Sequence, residues 1–238
     1  MAWRKREKSY KAQRTLTGCL IRRTGKLVRG ASAPTVGAFC MNIQSYIKYH
    51  LLETEYLEKE VHSFFHKNHH LTPEHFLAII IWKSNRSKKY VIKGLKEMQE
   101  IGRTVKTITE EVYDAGENQN KDRQVEILTD IYGIGIPIAS AILTILYPDR
   151  FTIYDIYLHE QLNGNEFKKY CNNAPFSKII GTDKKDREKY FKFVDIVKEI
   201  AEKETGNDLR KCDRALWGKS WYNGLKQSVE KSGLVFRE

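Results

Sequence analysis

The chain has no run of about 18 apolar residues, so it offers no membrane span. Its N-terminus lacks the apolar stretch of a secretory signal and is basic instead. Cysteine is sparse. Cys19, Cys40, Cys171 and Cys212 lie too far apart for a metal cluster or a disulfide framework in 238 residues, which makes a reducing, cytoplasmic setting the expectation. Acid is nearly missing from the first 30 residues. There Glu7 stands alone against Arg4, Lys5, Arg6, Lys8, Lys11, Arg14, Arg22, Arg23, Lys26 and Arg29.

That basic stretch supplies most of the net charge of +11. With a pI near 9.3, the balance favours a polyanion as partner, either nucleic acid or an anionic membrane surface. A basic but inert protein has the same balance. Residues 1–40 form an N-terminal arm, which reads as a solvated charge run or as a sequence-independent phosphate contact. Within it, two β-favouring runs around Thr24-Gly25 suggest a small hairpin, and residues 30–37, with Pro34, suggest a linker. An apolar share of 41% is enough for a core in the remainder.

The rest reads as helices, so the expected fold class is all-α. Apolar residues recur at mixed three and four spacings from Ile43 to Phe65. His62, His66 and His69 close that stretch, but without an acidic or cysteine partner at a ligand spacing they read as surface histidines. Thr72-Pro73-Glu74 is a helix start, with an N-cap, a proline at N1 and an acid in the first turn. The segment that follows, HFLAIIIW, is apolar nearly all round and reads as a central buried helix. It delivers a polar turn, Lys83-Ser84-Asn85-Arg86-Ser87-Lys88-Lys89, which fits donors presented to phosphates or bases equally with a solvated loop. Helical spacing resumes at Tyr90. A short helix is expected near residues 104–113, an amphipathic one over 191–204 ending at Gly206-Asn207, and a last one over 208–219.

Residues 122–160 are the most informative. A helix carrying Val125, Ile127, Leu128 and Ile131 runs into Gly133-Ile134-Gly135 and then into a second helix entered at Pro137. Two glycines around one apolar residue allow a tight turn and a close backbone approach to a ligand. Free N–H groups at Gly135, Ile136 and the second helix's first turn can bind phosphate. A tight helix–helix turn with no ligand has the same sequence. Asp155 then stands at the start of another helix, where it is either an N-cap or a catalytic carboxylate. Tyr154 and Tyr157 flank it. Trp82, Trp217 and Trp221 fit core packing better than base stacking, although Trp82 is also a candidate for a pocket wall.

Ile131-Tyr132-Gly133-Ile134-Gly135-Ile136-Pro137-Ile138-Ala139, followed by Tyr154-Asp155-Ile156-Tyr157, resembles the helix-hairpin-helix DNA glycosylase superfamily, the group containing endonuclease III-like, MutY-like and alkyl-base glycosylases. Pro137 and Asp155 are 18 residues apart, the interval between the corresponding positions in that family. The resemblance extends over roughly residues 45–220 and is specific only from the hairpin to the aspartate.

The resemblance implies a two-lobed helical fold with DNA in the groove between lobes. Residues 71–160 would be the central lobe, and residues 41–70 and 161–238 the second. It implies that the hairpin around Gly133, Ile134, Gly135 and Ile136 holds a backbone phosphate, often through a bound monovalent or divalent cation, and that Lys83, Ser84, Asn85 and Arg86 form a loop probing the base stack. Asp155 would stabilise an oxocarbenium-like state or activate water, with Trp82, Tyr154 and Tyr157 at the base pocket. Pro137 occupies the place of the Schiff-base lysine and Ile138 that of a threonine, and the C-terminal four-cysteine cluster is missing. Those departures point to a monofunctional N-glycosylase without an iron–sulfur cluster or other cofactor, a monomer acting on double-stranded DNA. Its base would be damaged or modified, in repair or, for a phage-modified base, in antiviral defence. A non-catalytic DNA-binding protein and an abasic-site lyase using another lysine are the alternatives.

Overall fold

The computed structural model describes residues 51–164, 168–171 and 175–233. The arm at 1–40, its hairpin and its linker lie outside them, as does the start of the helix expected from Ile43. All described residues belong to the unit Asn42–Glu238. Helices account for all regular structure among them, with no strand, and no described helix is long and apolar enough to cross a membrane.

Helix α1 starts as a π-helix over Leu52–Val61 and continues as an α-helix over His62–Asn68. Then follow α2 (Pro73–Ser84), α3 (Lys88–Glu100), α4 (Val105–Glu117), α5 (Lys121–Thr129), α6 (Ile136–Leu146) and α7 (Ile156–Leu162). A short 3-10 turn at Lys168–Cys171 precedes α8 (Lys184–Glu204) and α9 (Leu209–Lys231). Caps explain most starts. Thr72 accepts from the N–H of His75, Thr104 and Thr107 form a reciprocal capping box, and Asn120, Asp183 and Asp208 each accept from an N–H of the first turn. The short helix expected near residues 104–113 runs on to Glu117, and α5 starts at Lys121, so only residues 118–120 separate the two.

The central buried helix is α6, not α2. Every α6 residue except Pro137 is buried, because α1, α2 and α5 all pack on it. α2 buries Phe76, Ile79 and Ile80 but leaves Ile81 42% exposed. Both histidines of the α1 pair serve α6: His62 Nδ1 lies 2.9 Å from the carbonyl oxygen of Ile145, and His66 Nε2 lies 2.7 Å from that of Leu146. They satisfy carbonyls that a helix end leaves without partners. His69 stacks on Tyr113. α7 and α8 pack on α9. Helix α1, grouped by sequence with residues 161–238, lays its buried face on α2 and α6 and meets α9 through ion pairs.

α8 starts seven residues before the expected 191, and α9 runs to Lys231 rather than 219. The extra turns of α8 are charged and are started by the Asp183 cap, so apolar periodicity does not mark them. Between the two helices Gly206 and Asn207 both take positive φ, 66° and 68°.

The hairpin seats on α3. Gly94 lets the α3 backbone approach Tyr132, since a Cβ there would stand 2.3 Å from the Tyr132 carbonyl oxygen. Gly133 has φ 89°, and a Cβ there would stand 2.7 Å from the Tyr90 backbone. Gly135 differs: its φ of −96° and ψ of 177° are open to any residue, and an added Cβ meets only Pro137 Cδ at 3.6 Å. The expected special backbone therefore belongs to Gly133 alone. Gly133→Ala is expected to lower the unfolding free energy by roughly 1–3 kcal/mol. Gly135→Ala should change it by less than about 1 kcal/mol. Urea denaturation of the two variants checks the contrast.

Candidate active site

A cleft of about 430 Å³ opens where α1, α2, the start of α7 and α9 converge. Glu53, Trp82, Lys83, Ile153, Asp155, Tyr157, Arg210, Asp213, Arg214 and Trp217 line it. Sequence separation between these residues is large, so the fold alone brings them together.

Asp155 reaches the cleft from an extended link after α6. That link is pinned on both sides. The N–H of Tyr154 donates to Ser140 Oγ of α6 at 3.0 Å, and Tyr190 of α8 donates its hydroxyl proton to the Thr152 carbonyl at 2.9 Å. Side chains alternate along extended backbone, so Tyr154 turns inward and Asp155 outward. Asp155 then caps α7. Its Oδ1 accepts from the N–H groups of Tyr157 and Leu158, at 2.9 and 3.1 Å. Its Oδ2 faces Lys83, whose Nζ is 3.2 Å away. The two side chains are only 15% and 18% exposed. Asp155 is thus an N-cap, and the oxygen not used in capping faces Lys83 and the cleft.

Lys83 belongs to the last turn of α2 and is turned into the cleft, not presented with the polar turn that follows. In that turn Ser84 Oγ and Ser87 Oγ are 2.8 Å apart, and Asn85 and Arg86 are exposed. Tyr154 is a correction. It is 3% exposed, its ring packs on Phe193, and its hydroxyl accepts from the Ile179 N–H at 3.0 Å, so it is a core residue and not a wall of this cleft. Tyr157 and Trp82 do line the cleft. So does Trp217, against the expectation of core packing: Trp217 and Trp221 are 44% and 55% exposed, and Trp217 meets Tyr157 edge to face.

At the hairpin, Ile134 and Ile136 are buried, so their side chains fasten the turn to the core and only backbone groups can face a ligand. Pro137 has no N–H, and that of Ile138 bonds the Gly135 carbonyl, which leaves Gly135 and Ile136 as the donors that the α6 start offers. Beside them lie Tyr90 and Tyr132, half exposed and edge to face, with Lys89 Nζ over the first ring at 4.8 Å and Lys93 Nζ over the second at 5.2 Å. Among the described residues no group of three or more His, Cys, Asp or Glu side chains has the geometry of a metal site.

An ion network forms the far wall of the cleft, and sequence reasoning did not find it. Arg210 donates to Glu53 at 2.6 Å and to Glu58 at 2.8 Å, and also to Asp213. Arg214 donates to Glu53 at 3.0 Å and to Glu58 at 2.6 Å. The Arg210 guanidinium lies over the Trp82 ring at 5.7 Å. Glu53 and Glu58 are five residues apart, which puts them on one face because this part of α1 is π-helical, with its hydrogen bonds spanning five residues. Arg210, Asp213, Arg214 and Trp217 share a face of α9 by ordinary helical spacing, and that spacing of charges is the one sequence signal for the network.

Asp213 is 2% exposed. Burial pushes its carboxyl up to about 6, against the lowering pull of the bonded Arg210 and of Lys83, while Asp155 adds to the rise. A folded-state value raised above the ordinary 3.8 favours the protonated form. The stability it contributes is therefore complete below about pH 4 and is lost as pH rises through about 6. Relative to Asp213→Asn, which does not titrate, the wild type should lose roughly 2–3 kcal/mol of unfolding free energy between about pH 4 and 7. Urea melts across that range measure it, and parallel profiles for the two proteins would contradict it.

No protein-family model matches the chain, and neither a curated protein nor a solved structure matches it.

Proposed function

We propose that the protein is a DNA N-glycosylase that takes a damaged or modified base out of the duplex and cleaves its N-glycosidic bond, with Asp155 as the catalytic carboxylate. The observation that carries this reading is the division of labour within that carboxylate. One oxygen is fixed by two backbone N–H groups, and the other faces a cleft between the rings of Trp82, Tyr157 and Trp217. A carboxylate held that way can stabilise positive charge developing at C1′ or take a proton from attacking water. A flipped base needs a partly apolar pocket with stacking surfaces, and the cleft volume falls in the range of about 300–1,000 Å³ usual for small ligands.

Duplex DNA would cross the face that holds the hairpin. Gly135 and Ile136 would contribute backbone donors, Tyr132 and Tyr90 ring edges, and Lys89 and Lys93 charge. In this reading helices α1–α6 and α7–α9 are the two lobes, and the base enters between them. Pro137 is exposed at the surface and supplies no amine. Hydrolysis assisted by Asp155 is then sufficient for base removal, in repair or in defence against modified phage DNA.

The test uses duplexes carrying alkylated, deaminated, oxidised and hypermodified bases, each followed by hot alkali. Wild type should convert at least one of them to alkali-labile sites. Asp155→Asn should do so at least about 100-fold more slowly, the scale of losing an electrostatic group aimed at a developing charge. Asn caps a helix as well as Asp does, so the variant keeps α7 and isolates the charge. Binding without conversion of any duplex would leave a DNA-binding module in place of an enzyme. Affinity for undamaged duplex should also fall steeply with salt, because each neutralised phosphate releases counterions. A salt-independent affinity would count against the phosphate contacts.

A further inference from the structure

We propose that an unpaired stretch of nucleic acid lies along the outer half of α9, with its bases stacked on Tyr157, Trp217 and Trp221. This rests on the reading that a nucleotide enters the cleft, and it narrows the substrate to nucleic acid opened beside the target base.

Helix α9 has 23 residues, and its buried ones are Leu209, Cys212, Asp213 and Leu216. Past Leu216 none is buried, so residues 217–231 run along the surface with no core face of their own. What they expose is large and apolar: Trp217, Trp221, Tyr222 and Leu225. Single exposed apolar side chains are ordinary, but a contiguous group marks an interaction site.

The rings form a row that starts at the cleft. Tyr157 meets Trp217 edge to face with ring centroids 6.5 Å apart, and both line the cleft. Trp221 follows Trp217 by four residues, so it stands one turn further along the same face. Gly224 continues that face three residues on. A Cβ added at Gly224 would meet nothing within 4 Å, and the same holds at Gly218. Packing within the protein therefore requires neither glycine, although each costs a helix roughly 1 kcal/mol relative to alanine. Beside the rings, a glycine leaves the helix backbone open to close approach by a ligand chain.

Charge and spacing identify the occupant. Residues 217–231 carry Lys219, Lys226 and Lys231 against Glu230 alone. Such a balance disfavours a second copy of the same face and favours a polyanion. Aromatic rings interleaved with lysines are the surface on which single strands of nucleic acid stack. Four residues of helix separate the two tryptophans by about 6 Å along the axis, whereas bases of a duplex follow one another about every 3.4 Å along a strand. Bases seated on successive rings have therefore left their own stack. Extruding a nucleotide toward the cleft opens the stack beside it, and the row would hold the neighbours that follow.

The experiment measures affinity of the full chain for a thymidine oligomer of about 15 nucleotides, within the usual site size for single strands, and for an abasic tetrahydrofuran oligomer of equal length and charge. Wild type should bind the thymidine oligomer more tightly. Trp221 is exposed and lies outside the cleft lining, so Trp221→Ala should keep the melting temperature. Its affinity for the thymidine oligomer should fall at least about fivefold, the scale of losing one stacked base. Its affinity for the abasic oligomer should not change, and Trp221→Phe should recover most of the loss. Equal affinity of wild type for both oligomers, an equal fall for both in Trp221→Ala, or no fall for either would each overturn the proposal. A dimer in sedimentation that Trp221→Ala abolishes, with thymidine affinity unchanged, would assign the row to a second copy and overturn it too. Base release from a modified duplex without any preference for thymidine would remove the row and leave base excision intact. A preference lost in Trp221→Ala, in a protein that releases no base, would support the row and remove base excision.

Discussion

The Asp155 carboxylate is held on one side by the helix it caps and faces the cleft and Lys83 on the other, and the rest of the site depends on that asymmetry. Capping α7 fixes the position and orientation of Oδ1 through two backbone donors. The geometry of Oδ2 follows, because a carboxylate is rigid and planar. An acid on a loop would have to be ordered at each encounter with substrate. This one is ordered by the helix it starts, and a preorganised charge needs no rearrangement as the reaction proceeds.

The fold upstream of Asp155 maintains that geometry. α6 is buried on nearly every side, which makes it the fixed reference of the structure. The hairpin before it is locked by the close approach of Gly133 to Tyr90 and of Gly94 to Tyr132. The link after it is tied back to Ser140. A phosphate held at the hairpin and a sugar presented to Asp155 would therefore be referred to the same helix. Across the cleft, the arginines of α9 bind the glutamates of α1 in a network whose members share partners. Such a network holds the wall more firmly than separate surface pairs, which contribute little each.

Local features were legible in the sequence. Thr72-Pro73 gave the start of α2, the glycines gave the hairpin, and the aspartate after the hairpin was recognised as a helix start. Each depends on chemistry within a few residues. Long-range placement was not legible. Arg210 and Glu53 are 157 residues apart, and their meeting depends on a π-helical register that no composition or spacing rule foretells. By sequence Lys83 reads with the polar turn that follows it, because its neighbours on that side are polar. The orientation of α2 turns it into the cleft instead. Tyr154 and Asp155 are adjacent, and the pinning of the extended link by α6 and α8 decides which of them turns inward. The hydropathy of HFLAIIIW suggested the central helix, yet α6 holds that place, since position in a bundle depends on what packs around a helix as well as on how apolar it is.

The central claim is that the oxygen of Asp155 that faces the cleft and Lys83 meets positive charge at C1′ of a deoxyribose. The most direct measurement compares affinities for two duplexes, one with a neutral tetrahydrofuran abasic analogue and one with a pyrrolidine analogue whose protonated nitrogen mimics the charged transition state. Transition-state mimics bind more tightly than ground-state analogues when the site is complementary to the developing charge. Wild type should prefer the cationic analogue by at least about tenfold, roughly 1.4 kcal/mol, and Asp155→Asn should lose that preference while still binding the neutral duplex. Equal affinity of wild type for both analogues, or a preference that survives in Asp155→Asn, would contradict the account.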